Sequence, residues 1–109
     1  GQECLSCHDG SNRAPRFTLA GTAYNQREGG VALGAGVEVR LVDAQGGLLG
    51  VTRTDAEGNY WLRGGAVPAG ARVGLRNALR AMEMVTPLPA AGGACNGACH
   101  GATNRVYLP

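Results

Sequence analysis

From Phe17 to roughly Val85 the chain alternates apolar and polar residues in short runs broken by glycine-rich turns, and no segment keeps a helical period. An extended chain turns successive side chains to opposite faces, so such runs predict strands with one apolar face. Val37, Val39 and Leu41 alternate with Glu38 and Arg40. After the turn Ala44-Gln45-Gly46-Gly47 a second strand is expected over Leu48 to Thr54. Asp55-Ala56-Glu57-Gly58-Asn59 then predicts a turn in which Gly58 takes a positive φ and Asp55 accepts hydrogen bonds from backbone amides two residues on. Tyr60 and Leu62 continue inward and Trp61 points the other way. Beyond Gly64-Gly65 and Pro68-Ala69-Gly70, Ala71, Val73 and Leu75 alternate with Arg72 and Arg76. A strand from about Leu79 to Thr86 is expected to turn Leu79, Ala81 and Val85 to the core and Arg80, Met82 and Met84 away from it. Pro87 and Pro89 end that strand, Ala90 to Ala98 is too rich in Gly and Ala to pack much by itself, and Asn104 to Leu108 offers one more short strand.

The elements make an all-β sandwich of about six to seven strands. One structural domain is expected, with an N-terminal segment at 1–16, the sandwich at 17–86 and a C-terminal segment at 87–109. Gly34-Ala35-Gly36-Val37-Glu38-Val39-Arg40-Leu41 is followed by Thr52-Arg53-Thr54-Asp55-Ala56-Glu57-Gly58-Asn59-Tyr60-Trp61. On these residues the stretch from Gly21 to Val85 resembles the carboxypeptidase-regulatory-like, or transthyretin-like, β-sandwich family. The resemblance implies a small Ig-like sandwich and is almost silent about function, since such sandwiches serve as structural and adhesive modules. Nothing in this central stretch suggests catalysis.

Charge narrows the function classes. The 109 residues include ten Arg, no Lys and eight acidic residues, a net charge of +2. That balance is too mild, and the arginines too scattered, for a nucleic-acid footprint. No apolar run approaches the ~20 residues that cross a bilayer, and Gly1-Gln2-Glu3 lacks the basic and apolar regions of a signal peptide, so a soluble chain is expected.

The chemistry is concentrated at the two ends. All four Cys and both His lie in Cys4-Leu5-Ser6-Cys7-His8 and Cys95-Asn96-Gly97-Ala98-Cys99-His100. Cys-x-x-Cys-His is the attachment signature of c-type haem, in which two thiols add to the porphyrin vinyl groups and the adjacent imidazole reaches the iron. The second cluster has one extra residue between its cysteines. Together they resemble a dihaem c-type cytochrome, in which that longer spacing is a less usual variant. The resemblance implies two haem c groups, thioether bonds at Cys4, Cys7, Cys95 and Cys99, and proximal ligation by His8 and His100. A zinc site could use the four thiolates but leaves both histidines unexplained. A disulfide-stapled module accounts for the even Cys count and again not for the histidines. An iron–sulfur cluster fits pairs this far apart poorly.

Two proximal imidazoles use up every His in the chain, and Lys is absent, so neither haem can be bis-histidine ligated from within one chain. Met82 and Met84 are the only methionines and become the candidate distal ligands; their alternative is apolar filler. The α-amine of Gly1 is a second candidate, as a resemblance to cytochrome f, another β-sandwich c-type cytochrome, implies. Trp61 and Tyr24, facing away from the expected core, are candidates for stacking on a porphyrin or a neighbour. The arginines suit haem propionates or solvent.

An iron with both axial positions filled has no place for substrate, and no acid, base or nucleophile constellation accompanies these clusters, so electron transfer is expected rather than catalysis. An open axial site would instead allow peroxidase-like activity. Haems attached before the first strand and after the last would sit at opposite poles of an odd-stranded sandwich. That placement suggests a homopolymer, an extracellular cytochrome filament built by head-to-tail contacts. A monomeric periplasmic shuttle and a structural or adhesive module are the alternatives. Redox proteins or extracellular acceptors are the implied partners, and the haem resemblance implies export to the periplasm or cell surface.

Overall fold

A computed structural model of the chain describes residues 8, 16–28, 30–84, 86–89, 93–94 (backbone), 100 and 105–109. The described chain holds eight strands and no helix: β1 (Phe17–Tyr24), β2 (Glu38–Val42), β3 (Leu48–Arg53), β4 (Asn59–Arg63), β5 (Arg72–Arg76), β6 (Ala81–Glu83), β7 (Gly93–Ala94) and β8 (Val106–Tyr107). They form the two sheets of an all-β sandwich. One sheet is ordered β3-β2-β5-β6 and is antiparallel throughout; in the other β1 is central, with β4 antiparallel on one side. β7 pairs in parallel with Leu19 and Ala20, and β8 in parallel with Ala23 and Tyr24. The β4 side of β1 is already taken, so β7 and β8 line its other edge in tandem and share one strand position.

The turns form where the side chains demand them. Asp43 Oδ1 accepts from the amides of Gln45 and Gly47 at 2.9 and 2.7 Å, closing the β2–β3 hairpin. Asp55 Oδ1 accepts from the amides of Glu57 and Asn59 at 3.0 and 2.9 Å, and Gly58 has a φ of 80°. At Gly58 a Cβ would run into the backbone carbonyl oxygens of Leu33 and Ala23, so the chain needs glycine there for space as well as for the positive φ. Thr54 joins the two sheets' approach: its buried hydroxyl accepts from the Val37 amide at 3.0 Å and donates to the Gly34 carbonyl at 2.7 Å.

Leu19, Ala23 and Tyr60 from one sheet pack on Val39, Leu41, Val73 and Leu75 from the other. Val37, Val67, Ala71, Leu88 and Leu108 complete this core. The expected inward residues of β2, β4 and β5 are thus where the alternation places them. Leu88, between two prolines, and Val67, in a loop, are core residues that alternation does not mark.

The last expected strand is corrected. It spans only Ala81–Glu83, because Asn77 makes a tight turn in which its Oδ1 accepts from the amides of Leu79 and Arg80 at 2.9 and 2.8 Å. Leu79 is therefore at a hairpin tip and 90% exposed, not in the core. Register pairs Met82 with inward Leu75, and Ala81 and Glu83 with outward Arg76 and Gly74. Met82 and Met84 accordingly lie on the core side, and Ala81 faces out, the reverse of the expected phase. Val85 lies outside the described residues. Tyr24, expected to face away from the core, is 9% exposed, because Arg105 lies over its ring at 4.1 Å from the centroid.

Candidate functional site

The two long edges of the sandwich differ. At the β3–β4 edge the sheets close on each other: Gly50 lacks a side chain where Leu62 fills the space. At the β6–β8 edge they do not meet, and a cleft of about 120 Å³ opens into the core. Met82 and Met84 stand on one lip, Val106 and Tyr107 on the other, and Val73 and Leu75 at the base; His100 and Arg105 also line it. The exposed wall is predominantly apolar, as expected where two strands turn alternating residues inward. Met84 is held in place by its amide, which donates to the Val73 carbonyl at 2.9 Å.

The cleft therefore assembles one imidazole and two thioethers from parts of the chain separated by up to eighteen positions, from Met82 to His100. Both donor types are uncharged σ-donors suited to a transition metal of intermediate or soft character. Arg105 is fixed beside them through its stacking on Tyr24 and by its amide, which donates to the Arg27 carbonyl at 2.8 Å.

His8 lies elsewhere. Its ring stacks on Phe17 with centroids 3.9 Å apart and an interplanar angle of 5°, and Phe17 in turn stacks on Trp61 at 6.2 Å and 22°. The Phe17 amide donates to the His8 carbonyl at 2.9 Å, so backbone and ring both hold the histidine at the start of β1. A register shift between Phe17 and Leu19 turns Phe17 to the outer face, beside Trp61, while Leu19 stays in the core. Trp61 is 43% exposed and ends this stack at the surface.

His8 is at the Phe17 end of β1, whereas the His100 cleft includes Val106, paired with Ala23, and Tyr60, paired with Gly21. At about 3.3 Å per residue these positions are on the order of 15–20 Å apart along the strand. Both methionines are with His100. Cys4, Cys7, Cys95, Cys99 and Gly1 lie outside the described residues, and among the described residues no three His, Cys, Asp or Glu side chains come together. No helix among them is long and apolar enough to cross a membrane.

The sequence names His100, Met82 and Met84 as candidates separately, and the fold places them on one cleft. Phe17, as the platform under His8, and Arg105 were not marked by any motif; the one available signal for Phe17 is that it is the chain's only phenylalanine, nine residues after a Cys-His pair. The chain matches no family model, no curated protein and no solved structure.

Proposed function

We propose that the protein carries electrons through two covalently attached c-type haems, one at each terminal Cys-His cluster. The observation that carries the reading is the cleft at the open edge of the sandwich, where His100 shares an apolar pocket with Met82 and Met84. Imidazole and thioether are the donor pair that completes a six-coordinate electron-transfer iron and raises its reduction potential. The donors and the apolar lining fit such a group. The cleft, about 120 Å³, is smaller than a tetrapyrrole, so most of such a group would lie outside it. Bound there, the group supplies a one-electron iron couple. Cys95 and Cys99 would anchor it, His100 and one methionine would hold the axial positions, and Val73, Leu75 and Val106 would exclude water.

At the other end Cys4 and Cys7 would anchor the second group and His8 would ligate it. Phe17 fixes the plane of the His8 ring. With both methionines in the other cleft, the remaining axial position falls to the Gly1 amine, to a neighbouring copy, or to water; in the last case peroxidase-like chemistry follows. Separation of the two histidines along β1 supports exchange between copies over exchange within one, and so a homopolymer of the extracellular filament kind. The β3 edge, which no strand among the described residues pairs, has Leu48, Leu49 and Val51 40–54% exposed and supports the same assembly. Haem attachment of this type implies export.

The test is the protein purified from a host with a haem-attachment system. Two haem masses that survive acid extraction and a pyridine haemochrome spectrum of the thioether type are expected. The double variant Met82→Leu, Met84→Leu should lose the near-infrared sulfur-to-iron charge-transfer band. A protein without a Soret band, containing zinc or two disulfides, overturns the reading in favour of a structural module. Monodisperse single particles by negative-stain microscopy would leave a periplasmic shuttle in place of the filament.

A further inference from the structure

The outer face of the β3-β2-β5-β6 sheet carries a charge arrangement that the two terminal clusters do not use. Register sets Glu38 opposite Arg53 on one side and Arg76 on the other. Its carboxylate accepts from Arg76 Nη2 at 3.0 and 3.1 Å and pairs with Arg40 Nε at 3.4 Å and Arg53 Nη2 at 3.6 Å. The Glu38 side chain is only 13% exposed, so it lies beneath the three guanidinium groups and holds them in place. One carboxylate among three arginines leaves two positive charges in excess, with Arg76 oriented by hydrogen bonds and Arg40 and Arg53 by ion pairing.

Beside this cluster is a groove of about 520 Å³ lined by Arg40, Val42, Gly74, Arg76, Ala81 and Glu83. Its floor follows from the register. Arg40, Gly74 and Glu83 form one row across β2, β5 and β6; Glu38, Arg76 and Ala81 form the next. Neighbouring strands are about 4.8 Å apart, so the backbones of Arg40 and Glu83 are roughly 10 Å apart with no side chain between them. Ala81 keeps the second row low. Glu83 is exposed, and the arginines gathered on Glu38 do not pair with it, so its carboxylate is left for another partner. Positive and negative groups thus face each other across a glycine-floored gap, with Val42 as an apolar wall.

We infer that this groove binds a small zwitterion, an α-amino acid with an apolar side chain. The ligand carboxylate meets Arg40 and Arg76, its ammonium meets Glu83, and its side chain lies against Val42. A simple anion would be repelled by Glu83 and a simple cation by the arginines, so both charges are needed on one molecule. The groove shares Leu75, Met82 and Glu83 of its lining with the His100 cleft, and its ligand needs no haem.

Isothermal titration of the full chain uses L-leucine as the probe, with 4-methylpentanoate, which lacks the ammonium, and 3-methylbutylamine, which lacks the carboxylate. Leucine is expected to bind saturably and each analogue at least tenfold more weakly. Glu83→Gln should reduce leucine to the level of 4-methylpentanoate, and Ala81→Leu, which fills the groove, should abolish binding. Both substitutions are at exposed positions of β6, and circular dichroism melts matching the parent would confirm the fold. No saturable heat with leucine, equal affinity for leucine and 4-methylpentanoate, or an unchanged affinity in Glu83→Gln would overturn the assignment.

Discussion

Leu108→Ala tests whether the C-terminal segment is pinned to the sandwich by one side chain. Leu108 is 1% exposed within the core cluster, and its amide donates to the Tyr24 carbonyl at 2.9 Å. It follows β8, which contributes Val106 and Tyr107 to one lip of the His100 cleft and pairs with β1 alone over two residues. The substitution deletes three carbons; at about 0.8 kcal/mol per buried methylene the transfer loss is about 2.4 kcal/mol, and the residual cavity raises the range to about 2–5 kcal/mol. For a domain of this size about 2.4 kcal/mol corresponds to a fall in Tm of roughly 10–20 °C. Leu79→Ala is the control, because Leu79 is 90% exposed and should move stability by no more than about 0.5 kcal/mol. Urea and thermal melts of both variants would be compared with amide exchange at residue 108. Coincident melts, or an amide at 108 as protected in Leu108→Ala as in the parent, would refute the pinning.

Other substitutions probe the frame and the second histidine. Gly58→Ala should cost roughly 1–3 kcal/mol in urea melts, since it puts a Cβ against two carbonyl oxygens at a φ of 80°. Thr54→Val should cost about 1–3 kcal/mol by the same measurement, because the Val37 amide and Gly34 carbonyl lose their shared partner in a buried site. Phe17→Leu should remove about 0.5–1.5 kcal/mol of stacking beyond the area lost, and the Trp61 fluorescence maximum should shift to the red as its neighbour disappears. Arg76→Gln should cost no more than about 1 kcal/mol, a difference that shrinks as salt is added, because the Arg76 side chain is half exposed.

Where a strand has one wet face, its side chains report its orientation directly. Val39, Leu41, Tyr60, Val73 and Leu75 are read correctly from alternation alone, and the Asp55–Gly58 turn from the chemistry of its two end residues. β1 is different. Every residue of Phe17–Tyr24 is buried, so its composition carries little alternation to read, and the register shift at its start places Phe17 beside Trp61 and not in the core. The methionines differ for another reason: alternation carries strand phase through Leu79, but the Asn77 turn ends that phase, and a slip of one residue exchanges the two faces.

The sequence by itself determined the all-β class, the inward residues of the middle strands and the confinement of every Cys and His to the two ends. Only the tertiary structure decided that His100 and both methionines share one cleft while His8 rests on Phe17 at the far end of β1. The physical reason is range. Alternation and turn chemistry act over a few residues, whereas the cleft depends on parallel pairing of β1 with β8, between residues more than eighty positions apart, and such pairing leaves no local mark on either segment.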